Sequence, residues 1–270
     1  MNSISNLQIY YKNREFSYLC AMRFRIDLSY DGAPFCGWQV QRDSPSVQGA
    51  LEAALATLLR TPVRVVGAGR TDTGVNASRY VAHFDFDGPV DPAQLCYKLN
   101  AVLPDAVAVS SVSQVSEDFH ARFGARRREY TYYLHRRKDP FAARFSYLYA
   151  YPELDFEAMN AAAAHLLGTR DFSCFEKTGG DNKTSVCTIF EASWQPCECI
   201  PGSGVPQYRF VIAGDRFLRN MVRAIVGTLL EVGRGKRTEE QFRDLISSGT
   251  RCDAGESVPG HALFLTDIEY

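Results

Sequence analysis

One order of hydrophobic periodicities runs along this chain twice, and that duplication constrains the fold more than any single segment does. Residues 23–30, Arg-Phe-Arg-Ile-Asp-Leu-Ser-Tyr, alternate polar and apolar without a break, the period of a half-buried strand. Ser44 and Pro45 then supply a helix cap and a first-turn proline. Val47, Leu51, Ala54, Leu55, Leu58 and Leu59 form the apolar stripe of a helix over residues 45–60. Short strands are expected over 63–66 and 80–86. Asp91 and Pro92 open a second helix carrying Leu95, Leu99, Val102 and Leu103, and residues 106–115 close this half as a strand.

The second half repeats the order. Residues 128–136 read as an aromatic-rich strand, and 155–167 as an Ala-rich helix stopped by Gly168. Strands over 186–195 and 207–213 are joined by the loop 196–206, and a helix follows over 217–232. Another starts at Thr238, which has capping-box spacing to Gln241, and residues 263–270 end the chain as a strand. Two β-α-β-β-α-β units predict an α+β protein of two ferredoxin-like halves. Each half would be a four-stranded antiparallel sheet backed by helices, with a ligand cleft between the two. The expected boundaries are a flexible extension over 1–21, a first half over 22–125 and a second over 126–270.

At 270 residues there is chain enough for two small cores. No apolar run approaches the roughly 20 residues of a membrane span, which predicts a protein in solution with no membrane partner. Residues 1–21 lack the apolar centre of a signal peptide. The eight cysteines show no paired Cys-x-x-Cys spacing, so reduced thiols in a cytoplasmic protein are expected. The lone Cys197-x-Cys199 has no second ligand pair near it and is not read as a zinc site.

Formal net charge is −1, which by itself argues against a polyanionic partner, but the charge is unevenly spread. Residues 122–138 hold seven Arg/Lys against one carboxylate, Glu129, and residues 216–237 hold six against Glu231. Thus 13 of 30 cationic residues fall within 39 positions, the electrostatic footprint expected of a nucleic-acid enzyme, although charge alone fits a pair of solvated faces with no ligand equally well.

Chemistry concentrates at Gly67-Ala-Gly-Arg-Thr-Asp-Thr-Gly74. A Gly-x-Gly after a Val-rich strand invites a dinucleotide-binding reading, but Asp72 stands at the third glycine position and a strand follows instead of a helix. Read as a loop, the segment sets the Asp72 carboxylate beside the Arg70 guanidinium, with glycines that permit unusual torsions and close ligand approach. A structural turn in which Asp72 accepts backbone hydrogen bonds is the competing reading.

The run from Gly67 to Val75 resembles the signature of the TruA-type tRNA pseudouridine synthases. Tyr30-Asp-Gly32, Gly37-Trp-Gln39 and Ser46-Val-Gln48 are similar to that family's opening, and Phe119-His-Ala-Arg-Phe123 with Tyr130-Thr-Tyr132 to its middle. Asp171-Phe-Ser173 and Met221-Val-Arg-Ala-Ile-Val-Gly227 match its second half. The resemblance spans about residues 22–270 with the motifs in family order. It departs at Asn76, where the family commonly has His, and at Ala262, where glycine is common.

The resemblance implies that Asp72 is a nucleophile, that Tyr130 stacks on the target uracil, that Arg223 pairs with Asp72 and that Arg70 helps seat the flipped nucleotide. It further implies tRNA as partner, modification at positions 38–40 of the anticodon arm, a homodimer, and a reaction without cofactor or metal. Such chemistry suits these residue types. Burial alone would raise a carboxylate above its usual value of about 3.9, and a neighbouring guanidinium opposes that shift and can hold the carboxylate bidentately. An ionised Asp is then a competent covalent nucleophile, attacking the sugar C1′ or the base C6, or assisting elimination to a glycal. An aromatic side chain replaces the stacking a flipped base loses.

Each supporting residue also has an ordinary structural reading. Tyr130 would be a sheet aromatic and Arg223 a solvated helix residue, while Phe35 and Trp38 divide evenly between RNA contact and packing. A non-catalytic RRM-like RNA binder shares the strand-helix order, but the Gly-Phe-Gly-Phe strand it needs is missing from the sequence. A pseudouridine synthase with another RNA target would carry the same motif.

Overall fold

The computed structural model describes residues 22–179, 183–198 and 204–270. The expected extension over 1–21, with Cys20, and Cys199 lie outside the described residues. The first half contains β1 (Met22–Tyr30), α1 (Val47–Leu59), β2 (Val65–Gly67), β3 (Asn76–Phe86), α2 (Pro92–Val102) and β4 (Val107–Val115). The second contains β5 (Arg127–His135), β6 (Tyr147–Leu148), α3 (Phe156–Ala164), β7 (Gly168–Asp171), β8 (Val186–Cys197), β9 (Gln207–Gly214), α4 (Met221–Gly233), α5 (Glu239–Ser248) and β10 (Leu263–Glu269). The protein is therefore a mixed α+β fold. None of the described helices is long and apolar enough to cross a membrane.

Local chemistry accounts for most helix ends. Asp91 caps α2, accepting from the backbone N–H groups of Ala93 and Gln94, and Asp155 caps α3 through Ala158. Thr238 and Gln241 form a complete capping box on α5. Two starts differ from the periodicity. Ser46, not Ser44, caps α1 by accepting from Gly49, because the Pro45 carbonyl is already taken by the Cys36 N–H at 2.8 Å. Helix α4 begins at Met221 and not Phe217, because Asn220 sits at φ +64, a left-handed conformation that cannot continue an α-helix. Phe217 instead packs against Tyr130.

The strands form a single ten-stranded sheet in the order β4-β1-β3-β10-β5-β9-β8-β7, with β2 beside β3 and β6 beside β5. This corrects the expectation of two separate sheets. The join is β10, which runs antiparallel to β5 and parallel to β3 through Phe264–Asn76 and Leu265–Ala77. Two free edges are thereby covered. The same pairing explains why β3 begins at Asn76, four residues before the alternation becomes legible at Tyr80.

Two cores lie along the sheet. One is built on Phe24, Ile26, Leu51, Leu55, Tyr80 and Phe84; the other on Tyr132, Phe172, Phe210, Ile225, Leu229 and Phe242. Each fully buried side chain of this size contributes roughly 1.5–3 kcal/mol. Half-buried Tyr130 packs against both cores and so stands at their seam. Burial pushes the Cys174 and Cys187 thiols up to about 11 and 12, which keeps them unreactive.

Candidate active site

The loop between β2 and β3 is tied to its surroundings at several residues, the centre of the loop included. The Ala68 N–H bonds to Val81 O at 2.9 Å, and the Tyr80 hydroxyl donates to Gly69 O. Thr71 is held twice, by the Tyr30 hydroxyl at 2.9 Å and by the Trp38 N–H on its carbonyl at 3.3 Å. The Val75 N–H closes a turn on Asp72 O at 3.1 Å, with Gly74 at φ +74 in the position where such a turn requires glycine. A side chain at Gly37 would overlap the Thr71 carbonyl. One at Gly69 would meet open space, so the loop is uncrowded at that position.

Trp38 and Phe35 are buried in the first core, with Trp38 stacked on Tyr80 at 4.2 Å, which settles their role as packing. Asn76, only 1% exposed, accepts from the Gly32 N–H at 2.8 Å and donates to His261 O at 2.7 Å. It clamps the end of the Asp72 loop to the turn that precedes β10.

The second half brings its residues to the same place. Arg223, in the first turn of α4, contacts Asp72 Oδ2 through Nη1 at 3.3 Å. Its Nε donates to Val258 O at 2.7 Å, so one guanidinium edge is committed and the carboxylate is met at a single nitrogen instead of bidentately. Both side chains keep some access to water, 22% for Arg223 and 29% for Asp72, so the pocket is not dry in the free protein. An ion pair this exposed contributes on the order of 1 kcal/mol or less to stability. Function explains its position better than stability does.

Tyr130 on β5 meets Phe217 edge-on at 5.1 Å. Burial pushes its phenol up to about 12; Arg128 opposes the shift and the charge of Asp72 adds to it. The phenol is thus neutral at ordinary pH and close enough to feel the carboxylate. Asp72, Tyr130 and Arg223 converge, and Arg70 lies exposed on the same loop two residues before Asp72.

Sequence reasoning missed Arg128. Its guanidinium donates to four carbonyls: Ala68 at 3.0 Å, Arg122 at 2.7 Å, Ala125 at 3.2 Å and Asp215 at 2.7 Å. It ties the Asp72 loop to the 122–125 turn and to the approach to α4. The available signal was its spacing, two residues before Tyr130 and so on the same strand face. Other basic residues are similarly occupied. Arg127 lies within 4.0 Å of Glu129, Glu191, Asp267 and Glu269, Arg237 pairs with Glu231 at 3.0 Å, and Arg234 stacks over Tyr151. The exposed cations of the two basic segments are Arg122, Arg126, Arg137, Lys138, Arg219 and Lys236, fewer than the linear count implies. A surface concavity of about 410 Å³ lined by Ser173, Glu176, Lys177 and Arg251 includes none of Asp72, Tyr130 or Arg223.

Residues 28–124 and 162–270 match the family profile described as tRNA pseudouridine synthase. The chain is 50% identical over 248 residues to a protein of Bacteroides thetaiotaomicron named tRNA pseudouridine synthase A, covering 92% of this chain and 90% of that one. Proteins of the same name from Bacteroides fragilis and Parabacteroides distasonis are 47% and 50% identical; the alignments cover 93% and 92% of this chain and 98% and 96% of theirs.

Proposed function

The chain belongs to the tRNA pseudouridine synthase family, and from that premise we propose that Asp72 is its nucleophile and that its targets are uridines 38–40 in the anticodon arm of tRNA. The enzyme is an isomerase: the N1–C1′ bond of uridine breaks, the uracil turns, and a C5–C1′ bond forms while the C5 hydrogen is replaced by one on N1. No electrons are gained or lost. The observation that carries the residue assignment is the 3.3 Å contact between Asp72 and Arg223, made across the two halves beside the half-buried Tyr130 ring.

Each residue then has a part. Arg223 supplies the positive charge an ionised nucleophile needs, while its second edge is anchored on Val258. Tyr130, neutral and backed by Phe217, offers a stacking face to a uracil withdrawn from the helix, and that uracil would dry the site as it enters. Open space at Gly69 accommodates the nucleotide, and Arg70 at the rim contacts its phosphate. The carboxylate attacks C1′ or C6, or assists elimination to a glycal; none of these routes needs a cofactor.

The strand orders β4-β1-β3 with β2, and β10-β5-β9-β8, follow one pattern, which supports two ferredoxin-like halves over 22–125 and 126–270. Family resemblance further supports a cytoplasmic homodimer. Incubating tRNA that carries uridine at 38, 39 and 40 with the protein, then mapping pseudouridine by position, tests the reading. Modification confined to those sites is the expected result, and modification elsewhere or none overturns it.

A further inference from the structure

Among the described residues, three aromatic side chains are more than three-quarters exposed: Tyr97 and Phe123 at 77% and Phe141 at 76%. Phe123 lies in a turn that Arg128 bonds to the Asp72 loop, through Arg122 O and Ala125 O on one side and Ala68 O on the other. The turn that carries the ring is therefore tied to the loop that carries Asp72.

The turn is rigid in its own right. His120 Nδ1 accepts the N–H groups of both Arg122 and Phe123, at 3.2 and 3.1 Å, and the Gly124 N–H closes on His120 O at 2.8 Å. Burial, with the charges of Arg23 and Arg122, lowers the His120 pKa, which keeps that nitrogen an acceptor. The His120 ring lies 4.5 Å from that of Phe123, and the Arg122 guanidinium is 5.5 Å from its centroid. Arg122 and Arg126 are exposed on either side, while Glu117 and Asp118, which precede the turn, act on Arg23. An exposed, preordered apolar ring framed by cations matches the surface of an unpaired nucleotide, an aromatic face beside an anion.

We propose that this turn is an RNA-contacting element in which Phe123 stacks on an unpaired base of the tRNA and Arg122 and Arg126 contact its phosphates. The inference rests on the reading of the chain as a tRNA pseudouridine synthase and adds a contact outside the catalytic residues.

Affinity for unmodified tRNA, measured for wild type, Phe123→Ala, Phe123→Leu and Phe123→Trp, tests it. Phe123→Ala is expected to weaken binding roughly 5- to 100-fold, Phe123→Leu nearly as much, and Phe123→Trp less than about threefold, because stacking needs a π-face. Arg122→Gln and Arg126→Gln are each expected to lower the slope of log affinity against log salt by about 0.7–0.9. A Phe123→Ala affinity within twofold of wild type overturns the proposal. So does a Leu variant that binds as well as Trp, or a loss of oligomer mass in the Ala variant, which would assign the ring to a second copy of the chain. Wild-type protein assayed on the same tRNA separates the two levels. If it forms no pseudouridine, the functional reading fails and the proposal with it; if it does, the Phe123 result stands alone.

Discussion

Replacing Asn76 with alanine should damage the Asp72 loop without touching the carboxylate. The Asn76 side chain is almost wholly buried and carries two hydrogen bonds, from Gly32 N at 2.8 Å and to His261 O at 2.7 Å. Alanine leaves that N–H and that carbonyl without partners in a place water reaches poorly. Each such group costs about 1–3 kcal/mol, so the pair costs about 2–6 kcal/mol. A domain is typically stable by only 5–15 kcal/mol, so the loss is large and measurable. Urea unfolding reads it as a lower midpoint at constant slope. Turnover should fall as well, by roughly 10- to 100-fold, because the clamp joins the turn before β10 to the end of the Asp72 loop and a shift of an ångström is costly in a preorganised site. A midpoint shift equivalent to less than about 0.5 kcal/mol, with turnover unchanged, would refute this reasoning.

Two further outcomes follow from other residues. Burial first, then the charges of Arg23 and His120, lower the His83 pKa to about 4, so its folded value lies below the unfolded one; stability is present above about pH 6.5 and is lost as pH falls through 4. The His83 share of the loss should reach about 2–3 kcal/mol by pH 4.5, so wild type should lose that much more than His83→Gln between pH 7 and 4.5, as read by denaturant titration; parallel curves for the two proteins would contradict it. At the site, Arg223→Met should lower single-turnover pseudouridine formation by about 10²–10³, and Arg223→Lys by less, because lysine keeps the charge but loses the paired contact with Val258 and Asp72. Equal rates for the two variants would separate Arg223 from the reaction.

How far the sequence reveals this molecule depends on whether a feature is local. Caps at Asp91, Asp155 and Thr238 are set within a few residues, and all three stand where the pattern placed them. Starts that depend on a distant partner were displaced. Nothing in the alternation of residues 76–79 shows that Asn76 and Ala77 pair with Phe264 and Leu265, and nothing around Pro45 shows its carbonyl committed to Cys36. The two-residue β6 and the fully exposed β7 carry too little apolar signal to be noticed. In the site, Asp72, Tyr130 and Arg223 belonged to recognisable motifs, and the fold brings them together. Arg128 and the Asn76 clamp act on backbone carbonyls far along the chain, contacts that leave no periodicity behind. The basic runs misled in the opposite sense, because a linear count does not register Arg127 and Arg237 being spent on nearby carboxylates.

Asp72→Asn tests the central claim most directly. The substitution keeps size and hydrogen-bonding capacity at the loop but removes the carboxylate proposed as the nucleophile. In tRNA incubated with each protein, pseudouridine mapped by position should form with wild type and be absent with Asp72→Asn, while the variant's affinity for the same tRNA stays within a few-fold of wild type. Appreciable turnover by Asp72→Asn would contradict the account.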